Sequence, residues 1–515
     1  MVQKLEVLDT TLRDGVQAAG VSLTLEDKIR IALLLDELGV DYIEGGWPGS
    51  NPKDMEFFKL IKNYSLSHAK IAAFGSTRRK DTKVYEDKNL DAILRSDVDV
   101  AVVFGKAWVL HVEQVLRVSK EENLEMIYDT VSYLKSHGLK VIFDAEHFYQ
   151  GFKEDPDYVV QVLKVAEEAG ASVVVLCDTN GDAFPWEVYE ITKKVVSTAR
   201  TVVGLHMHND MGCAVANTLM GVLAGAKHIQ GTINGVGERT GNADLIQIIP
   251  TLYYKMGFNV LKGSESMRML KKISMLVYEI MSMNPNPYQP YVGEYAFAHK
   301  AGVHVDAVLK NPRAYEHIDP ELVGNTRKIL VSDLSGSANL VAKLRELGLD
   351  ISKGDEKIRS ALSKIKELGK HGYNLDSVPE LAILIALEEL GYVNEKFVLE
   401  DWRIDIDKNG IVAEVKINGV KYIARGKDFA ETLFNTVSQM MIALHPLLPR
   451  AKIVHNSVTM LSNGMYRVTI TLDTQGYRFS MQEVSHNVFE AYIRCLINAY
   501  KYLVTINRIY AEKQF

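Results

Sequence analysis

The chain has 515 residues, more than a single hydrophobic core supports, so we expect several domains. Hydrophobic residues make up 47% of it and charged residues 24%, ordinary globular proportions that exclude a disordered or collagen-like protein. The formal net charge of −6 argues against a general nucleic-acid binder and against a protein that binds anionic membranes.

Cysteine usage and the start of the chain indicate the cellular compartment. The three cysteines are far apart and lack CxxC spacing, so they form no disulfide framework and suggest reducing surroundings. The opening MVQKLEVLDTTLRDG has no apolar signal core. No apolar run reaches the ~20 residues of a membrane span. We therefore expect a soluble cytoplasmic protein without nucleic-acid or membrane partners.

The first half of the chain alternates short apolar runs with helical patterns. The runs lie at residues 5–11, 42–48, 70–75, 100–105, 140–148, 172–181, 202–210 and 228–241. Helical patterns such as TLEDKIRIALLLDELG separate most of them, and the pattern at 82–97 is the least regular. Eight strand–helix units in roughly 260 residues predict an α/β fold of the (β/α)₈ TIM-barrel type, with an open doubly wound sheet as the alternative.

The rest of the chain predicts three further parts after a catalytic barrel at residues 1–265. Residues 266–332 contain NPNPYQPYVGEYAFAH, which indicates an extended, proline-punctuated linker. Residues 333–398 have helical spacing. Residues 399–515 show strands and then a helix twice over, with Asn-Gly hairpin turns, which predicts a small α+β domain built from a pseudo-repeat.

Polar side chains gather where the predicted barrel strands end. They are Arg13, Asp14, Glu44, Glu146, Asp178, Thr179, His206, His208 and residues 238–242. Active sites of (β/α)₈ enzymes lie at the carboxyl ends of the strands. The sequence therefore predicts an active site at this end of the barrel.

Two histidines within this set have the spacing of metal ligands. His206 and His208 are two residues apart on predicted strand seven, so they point to the same face, with Cα atoms about 6.6 Å apart. Asp14 and Asn242 add oxygen ligands from strands one and eight, which neighbour strand seven in a closed barrel. Such donors suit Mg²⁺, Mn²⁺, Zn²⁺ or Co²⁺. The alternative is a hydrogen-bonded histidine pair at a strand end.

Other members of the set have a functional and a structural interpretation. Arg13 stabilises charge on a carbonyl oxygen, or it forms a salt bridge to Glu44 that only stabilises the barrel. Glu44 orients Arg13 in either case. Glu146 is a candidate base or a surface acid. Thr179 binds a substrate carboxylate or caps a strand end. The basic run at 78–80 meets nucleotide phosphates or forms a solvated loop.

The motifs resemble those of a known group of enzymes. LDTTLRDGVQ, HMHND and NGVGERTGN resemble the signatures of the acyl-transfer branch of the DRE-TIM metallolyases, which includes 2-isopropylmalate, homocitrate and citramalate synthases. AFAHKAGVHVDAVLKNPRAYEHIDPELVGN resembles the segment that follows their barrel, and the tail resembles their dimerisation and regulatory domain. Within the branch, EGGWPGSNPKD, FDAEHFYQGF and LCDTNGD look most like citramalate synthases, which use pyruvate.

The resemblance implies a reaction and a ligand set. Acetyl-CoA condenses with pyruvate, and thioester hydrolysis then gives (R)-citramalate and CoA in the threonine-independent route to isoleucine. The implied metal ligands are Asp14, His206, His208 and Asn242. The metal chelates the keto oxygen and carboxylate of pyruvate. Arg13 polarises the keto oxygen, Thr179 holds the carboxylate, and Glu146 acts near the acetyl methyl group as base or base-orienting residue.

The resemblance also implies a homodimer and a regulatory domain. His304 and Tyr315 reach the active site from the segment after the barrel, which in this family usually belongs to the partner subunit. The tail is where isoleucine binds as a feedback effector. The tail departs from the family pattern, however, because ARGKDFAETL replaces a glycine-rich loop and EVSHNVFEA lacks a first glycine. These departures leave isoleucine feedback open.

Three alternatives accompany this hypothesis. The same chemistry on a longer 2-oxo acid gives 2-isopropylmalate or homocitrate. A metal-dependent lyase that cleaves a hydroxyacyl-CoA shares the barrel site, although the long tail disfavours it. An amino-acid sensor with a decayed barrel is disfavoured because Arg13, Asp14, both histidines and Asn242 are all present.

Overall fold

A computed structural model describes residues 4–332, 335–446 and 448–512 of the chain. Residue 333, where the predicted helical part begins, lies outside these ranges. The chain divides into two compact units. The first contains Met1–Ala296 and Asp319–Thr326, and the second contains Phe297–Ile318 and Arg327–Phe515.

The first unit is a closed barrel of eight parallel strands. In chain order they are β1 (Glu6–Asp9), β2 (Tyr42–Gly46), β3 (Lys70–Ser76), β4 (Val100–Lys106), β5 (Lys140–Glu146), β6 (Val173–Asp178), β7 (Val202–Met207) and β8 (His228–Gly231). Each strand pairs with the next, and β1 closes the ring by pairing with β8 in the register Leu8 to Gln230. The closed order confirms the predicted TIM barrel and excludes the open doubly wound sheet.

The strands form because their residues are apolar on both faces, as buried parallel strands require. All six residues of β6, VVVLCD, are buried. One cluster of buried side chains fills part of the barrel. It consists of Leu8, Tyr42, Ala72, Phe74, Val100, Val102, Ile142, Val173, Val175 and Cys177. Apolar side chains thus pack the interior of the barrel, and the polar groups lie at the carboxyl ends of the strands.

Helices connect the strands. They are α1 (Leu25–Leu38), α2 (Pro52–Ile61), α3 (Lys88–Arg95), α4 (Lys120–Ser136), α5 (Phe148–Glu154), α6 (Pro156–Glu168), α7 (Pro185–Thr198), α8 (Ala214–Leu223), α9 (Leu245–Tyr254), α10 (Ser264–Arg268) and α11 (Leu270–Ile280). The irregular pattern at 82–97 corresponds to a 3₁₀ turn, Val84–Glu86, followed by the short helix α3. Helix α10 spans the predicted boundary at residue 265.

The second unit begins with two short paired strands and four helices. They are β9 (Ala298–His299), α12 (Gly302–Lys310), β10 (Lys328–Ile329), α13 (Ser337–Glu346), α14 (Glu356–Lys370) and α15 (Pro379–Leu390). Apolar side chains of α13, α14 and α15, such as Leu340, Ile365 and Leu384, belong to one core cluster of this unit.

The C-terminal part repeats three antiparallel strands and a helix. The elements are β11 (Leu399–Asp407), β12 (Gly410–Ile417), β13 (Val420–Gly426), α16 (Phe429–Leu444), β14 (Lys452–Met460), β15 (Tyr466–Thr474), β16 (Tyr477–Ser485) and α17 (Val488–Glu512). The turn between β12 and β13 has φ of 49° at Asn418 and 79° at Gly419, the left-handed pair that a type I′ hairpin needs. The predicted order of strands and helices is confirmed. None of the described helices combines the length and the apolar character that crossing a bilayer requires.

Candidate active site at the mouth of the barrel

Three of the predicted metal ligands converge at the carboxyl ends of β1 and β7. Nε2 of His206 lies 3.3 Å from Oδ2 of Asp14 and 3.3 Å from Nε2 of His208. All three residues are buried, and one ligand atom from each fits within 4.8 Å of the others. The structure places His208 just beyond β7, which corrects its predicted position on the strand. Strand β7 ends at Met207, and His208 forms an isolated bridge with Asn242.

Asn242, the fourth predicted ligand, is held by a tight glycine-containing turn. Gly241 has φ of 98°, and a Cβ there would lie 2.0 Å from the carbonyl oxygen of Gly235. A Cβ at Gly237 would lie 2.1 Å from Nδ2 of Asn242. Only glycine permits this approach, so the turn fixes Asn242 against the chain around it.

Two buried oxygen atoms of this set lack hydrogen-bond donors. Among the described residues, neither Oδ1 of Asp14 nor Oδ1 of Asn242 has a hydrogen-bond partner. A buried acceptor without a partner costs free energy, which a bound cation offsets. Carboxylate and amide oxygens beside two imidazoles are a donor set that divalent cations accept. The residues present therefore fit a divalent metal.

The electrostatics of the cluster favour the protonation states in which Asp14 and His208 can bind a metal. Burial alone would raise the pKa of Asp14, but the neighbouring Arg13 guanidinium and His206 ring outweigh it and hold the pKa well below its usual value. Burial, with His206 next to it, lowers the pKa of His208 to about 3. Asp14 is consequently ionised and His208 neutral, as metal binding requires.

A buried relay fixes the ring of His206. Nδ1 of His206 lies 2.8 Å from Oε1 of Gln230, and Nε2 of Gln230 donates to Oδ1 of Asp144 at 2.9 Å. Because the amide oxygen accepts from Nδ1, the lone pair of His206 is on Nε2, which faces Asp14 and His208. Sequence reasoning missed both Gln230 and Asp144. A polar side chain within a buried strand, as in HIQG, was the available signal.

We expect Gln230→Leu to weaken metal binding without removing it. The substitution removes the oxygen that accepts from Nδ1 of His206 and so no longer fixes the tautomer of this ring, but it leaves all four candidate ligands in place. Loss of such an outer contact lowers metal affinity by roughly 10–100-fold. Calorimetric titration with Mn²⁺ measures the change, and the exposed Gln161→Leu on α6 is the matched control. Equal Mn²⁺ affinities in the two variants would contradict the role of the relay.

Arg13 lies beside the cluster in a fixed orientation. Its Nε donates to Oε2 of Glu44 at 2.6 Å, one terminal nitrogen lies 3.1 Å from Oδ2 of Asp14, and its guanidinium carbon is 3.9 Å from the centre of the Phe74 ring. Glu44 is fully buried, and burial raises its pKa to about 7 against the opposing effect of Arg13. Glu44 contacts Arg13 but does not line the cavity at the mouth of the barrel.

A cavity of about 190 Å³ opens above these groups. Its lining consists of Arg13, Asp14, Gln17, Trp47, Phe74, Phe104, Asp144, Glu146, Cys177, Thr179, His206, His208, Glu238 and Arg239. Besides Thr179, this lining contains the predicted site residues Arg13, Asp14, Glu146, His206 and His208. The hydroxyl of Thr179 accepts a hydrogen bond from the backbone N–H of His147 at 2.8 Å, which leaves its own hydrogen available to a ligand.

Glu146 has a partner that sequence reasoning missed. Its carboxylate contacts the ammonium group of Lys106 at the end of β4. Lys106 is the last residue of VAVVFGK, so the rule that polar groups at strand ends form the site also points to it.

A second cavity, of about 510 Å³, lies next to the ends of β3 and β4. It shares Trp47 and Phe104 with the first cavity, and its wall includes the predicted basic run at 78–80. Arg78 is buried and paired with Asp129 and Glu122, so it is neither a solvated residue nor a free cation. Arg79 and Lys80 are exposed.

His304 and Tyr315 belong to the second unit. His304 lies on α12, and Tyr315 follows the next 3₁₀ turn. Their rings stack with centroids 4.2 Å apart, and both side chains are exposed.

The closed parallel barrel, with a cluster of candidate metal ligands at the carboxyl ends of its strands, is typical of metal-dependent (β/α)₈ enzymes. The chain belongs to the HMGL-like family, which it matches over residues 4–276. Residues 291–373 match the homocitrate synthase post-HMGL domain-like family.

Curated relatives resemble the chain over its whole length. It is 52% identical over 512 residues to the (R)-citramalate synthase of Sulfolobus acidocaldarius, with 98% of both chains covered. It is 45% identical over 507 residues to that of Aquifex aeolicus, covering 95% of this chain and 96% of the relative. The 2-isopropylmalate synthase of Methanocaldococcus jannaschii is 31% identical over 527 residues, covering 99% and 96%. The predicted relationship is confirmed, and so is the enzymatic nature of the chain.

Proposed function

We propose that the chain catalyses the condensation of acetyl-CoA with pyruvate and hydrolysis of the thioester, giving (R)-citramalate and CoA. The observation that carries the proposal is the buried Asp14–His206–His208 cluster, which has Arg13 beside it and opens to a cavity of only about 190 Å³. A small, polar, anionic acceptor suits such a site. The similarity to enzymes named (R)-citramalate synthase supports pyruvate as that acceptor.

One set of residues acts on the acceptor, pyruvate, and another acts on the donor, acetyl-CoA. The four candidate ligands Asp14, His206, His208 and Asn242 hold a divalent cation (Mg²⁺, Mn²⁺, Zn²⁺ or Co²⁺). When bound, this ion supplies Lewis acidity at a keto oxygen. Arg13, oriented by Glu44, donates to the same oxygen and stabilises the charge that develops on it.

The remaining groups bind the acceptor carboxylate and act on the acetyl group. Thr179 donates its hydroxyl hydrogen to the pyruvate carboxylate while the N–H of His147 fixes its orientation. Glu146 acts at the acetyl methyl group, whose weakly acidic proton needs a positioned base. The aromatic side chains of Trp47, Phe74 and Phe104 limit the room beside the pyruvate methyl group.

The second cavity suits the CoA part of the donor. Its volume of about 510 Å³ and its shared wall with the first cavity allow the pantetheine arm to present an acetyl group there. Exposed Arg79 and Lys80 supply cations for the phosphates. Arg78 keeps its ion pairs and shapes the wall.

The proposal includes assembly and regulation. Residues 266–332 carry His304 and Tyr315 to the active site of a partner subunit in a homodimer. Residues 333–398 form a helical subdomain, and residues 399–515 form a dimerisation and regulatory domain that takes isoleucine as an effector. The barrel at 1–265 is catalytic. The enzyme serves isoleucine biosynthesis in the cytoplasm.

Release of CoA thiol tests the function directly. We expect purified protein with Mn²⁺ to release thiol from acetyl-CoA fastest with pyruvate, more slowly with 2-oxobutyrate, and least with 2-oxoisovalerate and 2-oxoglutarate. Each extra methylene in a close-fitting pocket costs about 1–3 kcal/mol, or roughly 10–200-fold in kcat/KM. Preference for 2-oxoisovalerate would favour 2-isopropylmalate synthesis instead. No release with any acceptor would favour the lyase or the sensor.

A further inference from the structure

The feature that carries a further inference is the ion pair between Lys106 and Glu146. These residues are directly aligned in the parallel register of β4 and β5, and each is the last residue of its strand. Their side chains are 15% and 24% exposed. Both are therefore held by the rigid barrel at the edge of the site rather than on a mobile loop.

The pair lies at the boundary between the two cavities. Glu146 lines the smaller cavity together with Arg13, whereas Lys106 lines the larger one. Trp47 and Phe104 contribute to both, so the cavities adjoin. An acetyl thioester that reaches from the larger cavity toward the smaller one passes this ion pair.

Lys106 has donor capacity that the protein does not use. An ammonium group carries three N–H donors. Within the described ranges, Glu146 is its one hydrogen-bonded partner, and the ring of Phe104 lies 5.2 Å from Nζ. The backbone carbonyl of Lys106 accepts a hydrogen bond from Asn123 at 2.8 Å, which fixes the residue at the end of β4.

We propose that Lys106 is a catalytic residue that donates a hydrogen bond to the thioester carbonyl oxygen of acetyl-CoA and stabilises its enolate; this rests on the proposed function. The methyl C–H bond breaks and its proton passes to the Glu146 carboxylate. The C–H electron pair forms the C=C bond, and the carbonyl π pair moves to oxygen. The enolate carbon then bonds to the keto carbon of the acceptor as the thioester carbonyl is restored. The keto C=O π pair moves to the keto oxygen, which takes up a proton and becomes the product hydroxyl as Glu146 returns to its carboxylate form.

The ion pair suits this step because it keeps the local charge constant. Before the proton moves, the negative charge is on Glu146; afterwards it is on the enolate oxygen. One ammonium contacts both positions, so no uncompensated charge forms between the partly buried side chains.

Lys106→Met tests the proposal against a matched control. Lys153→Met, on α5, removes an exposed lysine that also pairs with a glutamate, Glu187. We expect Lys106→Met to lower kcat for thiol release by about 10²–10³-fold, the loss typical of an oxyanion donor, while Lys153→Met retains the wild-type rate. Lys106→Arg should fold with its charge retained and recover part of the rate.

Binding measurements separate a catalytic role from a structural one. Carboxymethyl-CoA, a thioether whose carboxylate resembles the enolate, should bind Lys106→Met about 100-fold more weakly, whereas free CoA and Mn²⁺ should bind within about twofold of wild type. An unchanged kcat, an unchanged affinity for carboxymethyl-CoA, or an equal loss for free CoA would each overturn the proposal. A wild-type protein that releases no thiol would overturn the proposed function as well.

Discussion

His206→Ala is expected to abolish divalent-metal binding and thiol release together. Its Nε2 is the atom that lies 3.3 Å from both Asp14 and His208, so alanine removes the centre of the cluster. Loss of the Lewis acid removes several kcal/mol of transition-state stabilisation, which lowers kcat/KM by about 10³-fold or more. Mn²⁺ titration by calorimetry and the thiol assay measure the two effects on the same preparation.

His137→Ala is the control for this substitution, because His137 is exposed at the end of α4. It should retain wild-type metal affinity and activity. Circular dichroism should show that both variants are folded. A His206→Ala protein that binds Mn²⁺ with wild-type affinity, or that turns over at the wild-type rate, would show that the ligand assignment is wrong.

Much of this site follows from two rules applied to sequence. Closure of a parallel barrel brings strand ends together, and alternation on a strand puts His206 and His208 on one side. Together they predict that Asp14 and the two histidines meet, although nearly two hundred residues separate them in the chain. The rules do not predict where a strand stops, so they place His208 on a strand that ends one residue before it.

The residues that sequence reasoning missed act through partners. Gln230 and Asp144 matter because one accepts from His206 and the other accepts from Gln230, and such pairings depend on the register between strands. Lys106 faces Glu146 for the same reason. A glutamine or lysine in an apolar run is ambiguous on its own, since propensity and pattern describe one strand at a time.

The fold shows the same division between local and long-range information. Period and turn residues such as Asn418-Gly419 predict hairpins and helices within a few residues. The composition of the first unit depends on long-range contacts. Residues 319–326 belong to it although they follow residues 297–318, which belong to the second unit. No local pattern marks that return of the chain.

Mixed dimers of two inactive variants are expected to regain about half of the wild-type activity if the proposed site is shared between subunits. Arg13→Lys keeps the charge that Asp14 and Glu44 need but loses the planar fork that orients it. His304→Ala changes an exposed side chain. In a dimer of one subunit of each kind, one active site receives both lesions and the other receives none. Two affinity tags isolate this mixed dimer for the thiol assay.

The reciprocal mixture supplies the control. A double variant, Arg13→Lys with His304→Ala, is paired with a wild-type subunit, so that a shared arrangement damages both sites and leaves no activity. If each site is formed within one chain, the results exchange: the first mixture is inactive and the second has about half of the wild-type rate. Because the two models predict opposite outcomes from the same two substitutions, general destabilisation by either change cannot imitate the shared site.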